Sequence, residues 1–183
     1  MAMSRAEMIS LVLDGTEPLT QRLPSLGEAA AVARWRSADG LGAVLFVRHR
    51  RDGILAAELS LAVRVTAGKW RDLELDSGAS GYPDFFSEPL DPSDAVPLGI
   101  TETLVSEAEF RKGAATTVRF LEVWVGGSVT SIFCATESTT TEQEISPLGV
   151  CLAGVVGEES AAVHVRAEKE TLHIIPLSAS AIE

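Results

Sequence analysis

Cysteine is scarce in this chain, two in 183 residues, and Cys134 and Cys151 lack the C-x-x-C spacing that zinc sites use. Both sit in apolar, strand-like runs where cysteine acts as a small hydrophobe, so a reduced, buried pair is expected. Positive charge is scarce as well: 15 lysines and arginines against 26 acidic residues leave a net charge of -11. Phosphate backbones need a concentrated cationic surface, so the charge argues against broad nucleic-acid binding and any anion site must be local. No apolar run approaches the roughly 20 residues of a membrane-spanning helix. The first residues show no charged-then-apolar leader. The expectation is a soluble, cytoplasmic protein with no membrane partner. The patterns that carry catalysis are missing too. There is no G-x-S-x-G elbow, no G-x-x-x-x-G-K-[ST] phosphate loop, no H-E-x-x-H and no His-x-His pair. No catalytic residue, cofactor or metal is assigned from the sequence.

What is present is apolar residues in alternation. With 46% apolar and 22% charged residues the chain is globular, and its length suits a single β-rich domain spanning residues 1–183, since a domain of roughly 150 residues buries about 70% of its unfolded surface. Ser4-Arg5-Ala6-Glu7 has capping-box spacing and predicts a short helix over Arg5–Leu13, with Met8, Leu11 and Val12 on one side and Gly15 as its stop. A four-stranded meander follows: Ala30–Arg36, Ala43–Arg50, Leu55–Val65 and Lys69–Leu75, with turns at Asp39-Gly40, Asp52-Gly53 and Ala67-Gly68.

A two-residue turn at Asp52-Gly53 would set Val44 opposite Leu61 and Phe46 opposite Leu59. A three-residue turn at Thr66-Ala67-Gly68 would set Leu61 opposite Leu73 and Leu59 opposite Leu75. Both place the same leucines on one apolar face, because side chains alternate with a period of two. The opposite face, with Glu58, Ser60, Arg64, Trp70, Asp72 and Glu74, reads as solvated, with Arg64 across from Trp70. Leu45 and Val47 fall on the outside of this hairpin, as if covered by the N-terminal helix.

Between about residues 76 and 99 the alternation breaks around Pro83, Pro89, Pro92 and Pro97, which predicts a long crossover loop and a candidate lid. Ser106-x-x-Glu109 before Gly113 predicts a second short helix. The strands then resume over Thr116–Val125, Ser128–Thr136, Val150–Val156, Ala161–Glu168 and Thr171–Leu177, with the threonine-rich stretch 136–143 left as a loop. The fold class is all-β: an antiparallel β-barrel or a two-sheet sandwich of about nine strands, with the barrel preferred.

Four constellations merit chemical reading. A hairpin at Gly126-Gly127 would gather Phe120, Glu122 and Trp124 against Ser131 and Phe133, a candidate ligand site in which burial would raise the carboxyl pKa. The plainer alternative, and the preferred one, turns that face outward and builds the core from Leu121, Val123, Val125, Ile132 and Cys134. A turn at Lys169-Glu170 would pair Arg166 with His173 and His164 with Ile175, clustering His164, Arg166 and His173 as a candidate anion or pH-sensitive patch. Arg48-His49-Arg50-Arg51 is the only basic run, expected as a solvated hairpin end. Asp76, Asp84, Glu88, Asp91 and Asp94 do not have the spacing of a calcium loop.

Function is less legible than fold. The first expectation is a non-catalytic binding protein whose partner is a protein or extended peptide, with a small-molecule ligand as a second option. An enzyme or biosynthetic accessory with a pocket at a barrel mouth is the alternative, and a homo-oligomeric structural subunit the third.

Overall fold

The structure, a computed structural model, describes residues 4–65, 68–82, 89–106, 110, 115–168 and 170–177, with 76–82 as backbone only. Among them are one helix and eleven strands in three antiparallel sheets. The chain groups into two compact units: residues 1–88 with 146–148, and residues 89–145 with 149–183.

The first unit begins with helix α1 (Arg5–Asp14), capped as expected: the Glu7 N–H donates to Ser4 Oγ (3.3 Å) and the Ser4 N–H to Glu7 Oε2 (2.9 Å). It ends at Gly15 with φ 80°, whose N–H reaches Val12 O. Arginines of the first strand also reach the terminal carbonyls: Arg34 Nη1 donates to Val12 O (2.7 Å) and Arg36 Nη1 to Leu13 O (3.0 Å). Cations there also oppose the negative helix end.

Strands β1 (Ala29–Arg36), β2 (Leu41–His49), β3 (Leu55–Arg64) and β4 (Trp70–Tyr82) form the expected meander in the order β1-β2-β3-β4. The first register differs by one residue. Arg50 N donates to Ile54 O, and Gly53, at φ 83°, donates to Arg50 O, so three residues link β2 to β3 instead of two. Glycine's missing Cβ permits that left-handed position, the usual close of a three-residue hairpin. Ala43 therefore faces Leu61 and Leu45 faces Leu59, while Val44 and Phe46 turn to the other side.

That other side is where α1 sits. Ile9, Val12 and Leu13 pack with Ala31, Val44, Phe46, Ala62 and Trp70, each helix side chain contributing about 2 kcal/mol by leaving water. The face expected to be solvated is thus partly covered: Ser60 is fully buried and receives Arg5 Nη2 (2.6 Å), and the Trp70 indole donates to Asp14 Oδ1 (2.9 Å). The helix and the Leu45–Val47 side exchange places relative to the sequence reading. The second turn has the expected length, and Arg64 lies opposite Trp70 with Cζ 5.8 Å from the ring centroid. Beyond it a bulge around Glu74, at φ 55°, moves Leu59 from Leu75 to Ser77. Leu59, Leu61 and Leu73 remain buried.

Strand occupies both ends of the expected crossover loop. β4 runs on to Tyr82, and β5 spans Ala95–Val105 through Pro97. Proline is tolerated because β5 is the terminal strand of its sheet, where a missing N–H breaks no interior ladder. Residues 83–88, and most of the predicted second helix, lie outside the described residues.

In the second unit, β6 (Thr116–Val125) pairs with β5 and with β9 (Val150–Val156). The other sheet runs β11-β10-β7-β8, from β7 (Ser131–Thr136), β8 (Thr140–Gln143), β10 (Ala161–Ala167) and β11 (Glu170–Leu177). The stretch read as a threonine-rich loop holds β8, turned back on β7 at residues 137–139. Leu121, Val123, Ile132, Cys134, Cys151 and Val163 from both sheets enclose one apolar core. The expected Gly126-Gly127 hairpin is absent, because β6 and β7 belong to different sheets. Neither glycine has the positive φ that a two-residue hairpin turn demands. Gly126 answers a different need: a Cβ there would stand 2.1 Å from the Asp91 carbonyl oxygen.

Candidate functional site

Strand β6 is central in its sheet and buried on both faces. The plainer sequence reading holds for the core residues, but Glu122 is not solvated: it is 6% exposed, between Phe120 at 0% and Trp124 at 8%. Its backbone lies between Gly99 of β5 and Leu152 of β9. A Cβ at Gly99 would lie 3.8 Å from the carboxylate, so the glycine leaves room beside it.

Ser131 and Phe133 do not join this group. They lie on β7, opposite Arg166 and His164 of β10. Arg166 stacks on Phe133, Cζ 5.6 Å from the centroid, a contact worth about 0.5–1 kcal/mol where exposed.

The proposed histidine patch is divided. The last turn falls one residue earlier than read, with Ala167 opposite Glu170 and Glu168 at φ 51°. A bulge at Val165/Arg166 then sets His173 opposite Val165 and His164 opposite Ile174. His173 therefore leaves the face of His164, and its Nε2 meets Ser93 O at 3.0 Å. Ile174 is 61% exposed.

The basic run lines a depression of ≈ 520 Å³ with Gly27 and Asp52. Two of its charges are engaged, Arg50 with Asp52 at 2.7 Å and Arg48 with Glu58 at 3.4 Å, while His49 Nδ1 meets Pro24 O. Among the described residues no group of three or more His, Cys, Asp or Glu is placed to hold a metal ion. Cys134 and Cys151 are buried free thiols, and burial pushes both pKa values up, away from reactive thiolate.

Two features escaped the sequence reading. The first is Arg119, 1% exposed in β6. Its guanidinium donates to Leu177 O (3.2 Å), Gly157 O (3.1 Å) and Glu159 O. These bonds tie β11 and the turn after β9 to β6. The signal was a lone cation inside Val118-Arg119-Phe120-Leu121, where a solvated charge would waste a core position.

The second is the edge of β5, which has no further strand beside it among the described residues. After the bulge between Pro97 and Gly99, Ile100 lies opposite Leu121, Glu102 opposite Arg119 and Leu104 opposite Thr117. These three share the face whose β6 members point into the core, yet Ile100 is 55% and Leu104 64% exposed. β11 lies within reach of β6 through the Arg119 to Leu177 bond, yet Ile100, Glu102 and Leu104 of β5 stay exposed. The alternation Ile100-Thr101-Glu102-Thr103-Leu104 was legible, but the prolines before it hid the strand.

Comparison with known proteins returns no matching family model, no matching curated protein and no matching solved structure. The geometry of the chain is therefore the ground for any functional reading.

Proposed function

We propose that this protein is a non-catalytic binding protein that takes an extended peptide segment along the free edge of β5. In this reading the second unit is an open two-sheet sandwich rather than a closed barrel, and β5 is its receptive margin. The observation that carries it is the pairing of an unladdered terminal strand, among the described residues, with exposed Ile100 and Leu104. Backbone hydrogen bonds from such an edge supply affinity, and alternate side chains supply selectivity. Soluble proteins ordinarily blunt an exposed strand edge, as Pro97 does at one end of β5. The test is selection of a random displayed peptide library on the immobilised protein. Enrichment of sequences with apolar residues at every second position, lost with Leu104→Lys, is the expected result. Enrichment of nothing, or of peptides that bind Leu104→Lys equally well, would sink the reading.

A second reading, a small enzyme or biosynthetic accessory with Glu122 as acid–base group, draws on one observation, the burial of that carboxylate beside Phe120 and Trp124. Small-molecule binding from a metabolite mixture that is unchanged in Glu122→Gln would remove it.

A further inference from the structure

Resting on that reading of the β5 edge, we infer that the segment it accepts is cationic: an extended strand with a lysine or arginine flanked, two residues away on each side, by apolar side chains. The face that a new strand would share with β5 presents Ile100, Glu102 and Leu104 at alternate positions. All three are exposed. Antiparallel addition sets one incoming side chain opposite each of them. Apolar groups opposite Ile100 and Leu104 leave water, and a cation opposite Glu102 pairs with it. An acid there would meet Glu102 within a chain of net charge -11. On the other face Thr101 and Thr103 are half-buried, which suits small β-branched neighbours.

The receptive stretch has a defined start. Pro97 has no N–H, and the bulge at Pro97/Gly99 interrupts the register, so a regular ladder is available from Gly99 to Val105. A second copy of this chain is a poorer occupant. Two β5 strands crossing antiparallel at Glu102 would set Leu104 opposite Ile100 within the regular stretch but bring the two Glu102 carboxylates face to face, and crossing at Ile100 would set Thr103 opposite Pro97 in the interrupted region. Each copy would also bring the same acidic surplus.

The experiment uses the full chain and two fluorescent peptides, acetyl-Thr-Val-Thr-Lys-Thr-Val-Thr-amide and its counterpart with glutamate replacing lysine. Anisotropy titrations are expected to show the lysine peptide binding about fivefold tighter, the scale of an exposed cross-strand charge pair. Glu102→Lys should reverse the order and Glu102→Gln should abolish the difference, with thermal melts confirming that both variants fold. Amides of Gly99–Val105 should gain hydrogen-exchange protection with the lysine peptide. Equal binding of both peptides overturns the charge assignment. So does a library that enriches alternating apolar peptides without basic residues, although edge binding itself then stands. If the library enriches nothing and neither peptide binds, both proposals fall. Protection of Gly99–Val105 that grows with protein concentration in the absence of peptide identifies a second copy and likewise overturns the inference.

Discussion

The two units of this chain build sheets from the same material in different ways. In the first, β1 to β4 follow one another in space as in sequence, each joined to the next by a short turn. In the second, the consecutive pairs β5-β6, β7-β8 and β10-β11 are completed by β6 with β9 and β7 with β10, partners separated by intervening strands. Where pairing is local, turn length and alternation decide the partner and an error shifts the register by one residue. Where pairing is remote, the same clues identify strands and leave their partners undetermined. What fixes remote partners is chemistry at single positions, and substitutions at those positions probe the difference between the units.

The largest effect is expected at Gly126. A Cβ there collides with the Asp91 and Pro92 carbonyl groups, and backbone cannot step aside cheaply. Gly126→Val should cost about 4 kcal/mol in urea unfolding, whereas Gly127→Val, which meets nothing within 4 Å, should be close to neutral. Equal costs for the two would restore the hairpin reading. Next comes Arg119→Leu, which leaves the carbonyls of Leu177, Gly157 and Glu159 without their donor. A loss of about 3 kcal/mol is expected, with β11 amides exchanging faster than those of β6.

The first unit should respond more mildly to a turn substitution. Gly53→Ala places a side chain at φ 83° in open space, so only backbone strain of about 1 kcal/mol is expected, read from the urea midpoint.

The smallest effect concerns pH. Ser138 Oγ donates to Glu159 (2.9 Å to Oε2), and hydrogen bonds from Thr136 and Ser138 hold this exposed carboxyl below its usual 4.5. A lowered folded-state pKa stabilises above the unfolded value and is lost as pH falls through the folded one. Glu159→Gln should therefore lower stability slightly at neutral pH and flatten its decline on the acid side of pH 4.5. A melting temperature that falls identically with acid in both proteins would contradict this.

The same contrast explains what could be read in advance. Helix α1, its cap and its glycine stop were legible because every signal lies within twelve residues of Ser4. The strands of the meander were legible for the same reason. The side of the sheet that takes α1 was not, since it turned on one extra residue in the Arg51–Gly53 link. Strand β5 was missed because four prolines across 83–97 resemble a loop, although at a sheet margin one of them costs no ladder bond. The candidate ligand group dissolved once β6 and β7 proved to be in separate sheets: Glu122 kept Phe120 and Trp124 and lost Ser131 and Phe133. Of the histidine patch, the bulge at Val165/Arg166 left His164 and Arg166 on one face and sent His173 to the other, where it meets Ser93.

Arg119 also has a meaning in time. The carbonyl of Leu177 that receives it lies 58 residues further along the chain. During synthesis the guanidinium has Gly157 and Glu159 as acceptors before that late segment emerges, and drying it earlier would leave the buried charge short of its third partner. Completion of the second core therefore waits on β11, the last strand of the unit to be made, and a chain lacking it should pack its earlier strands less firmly.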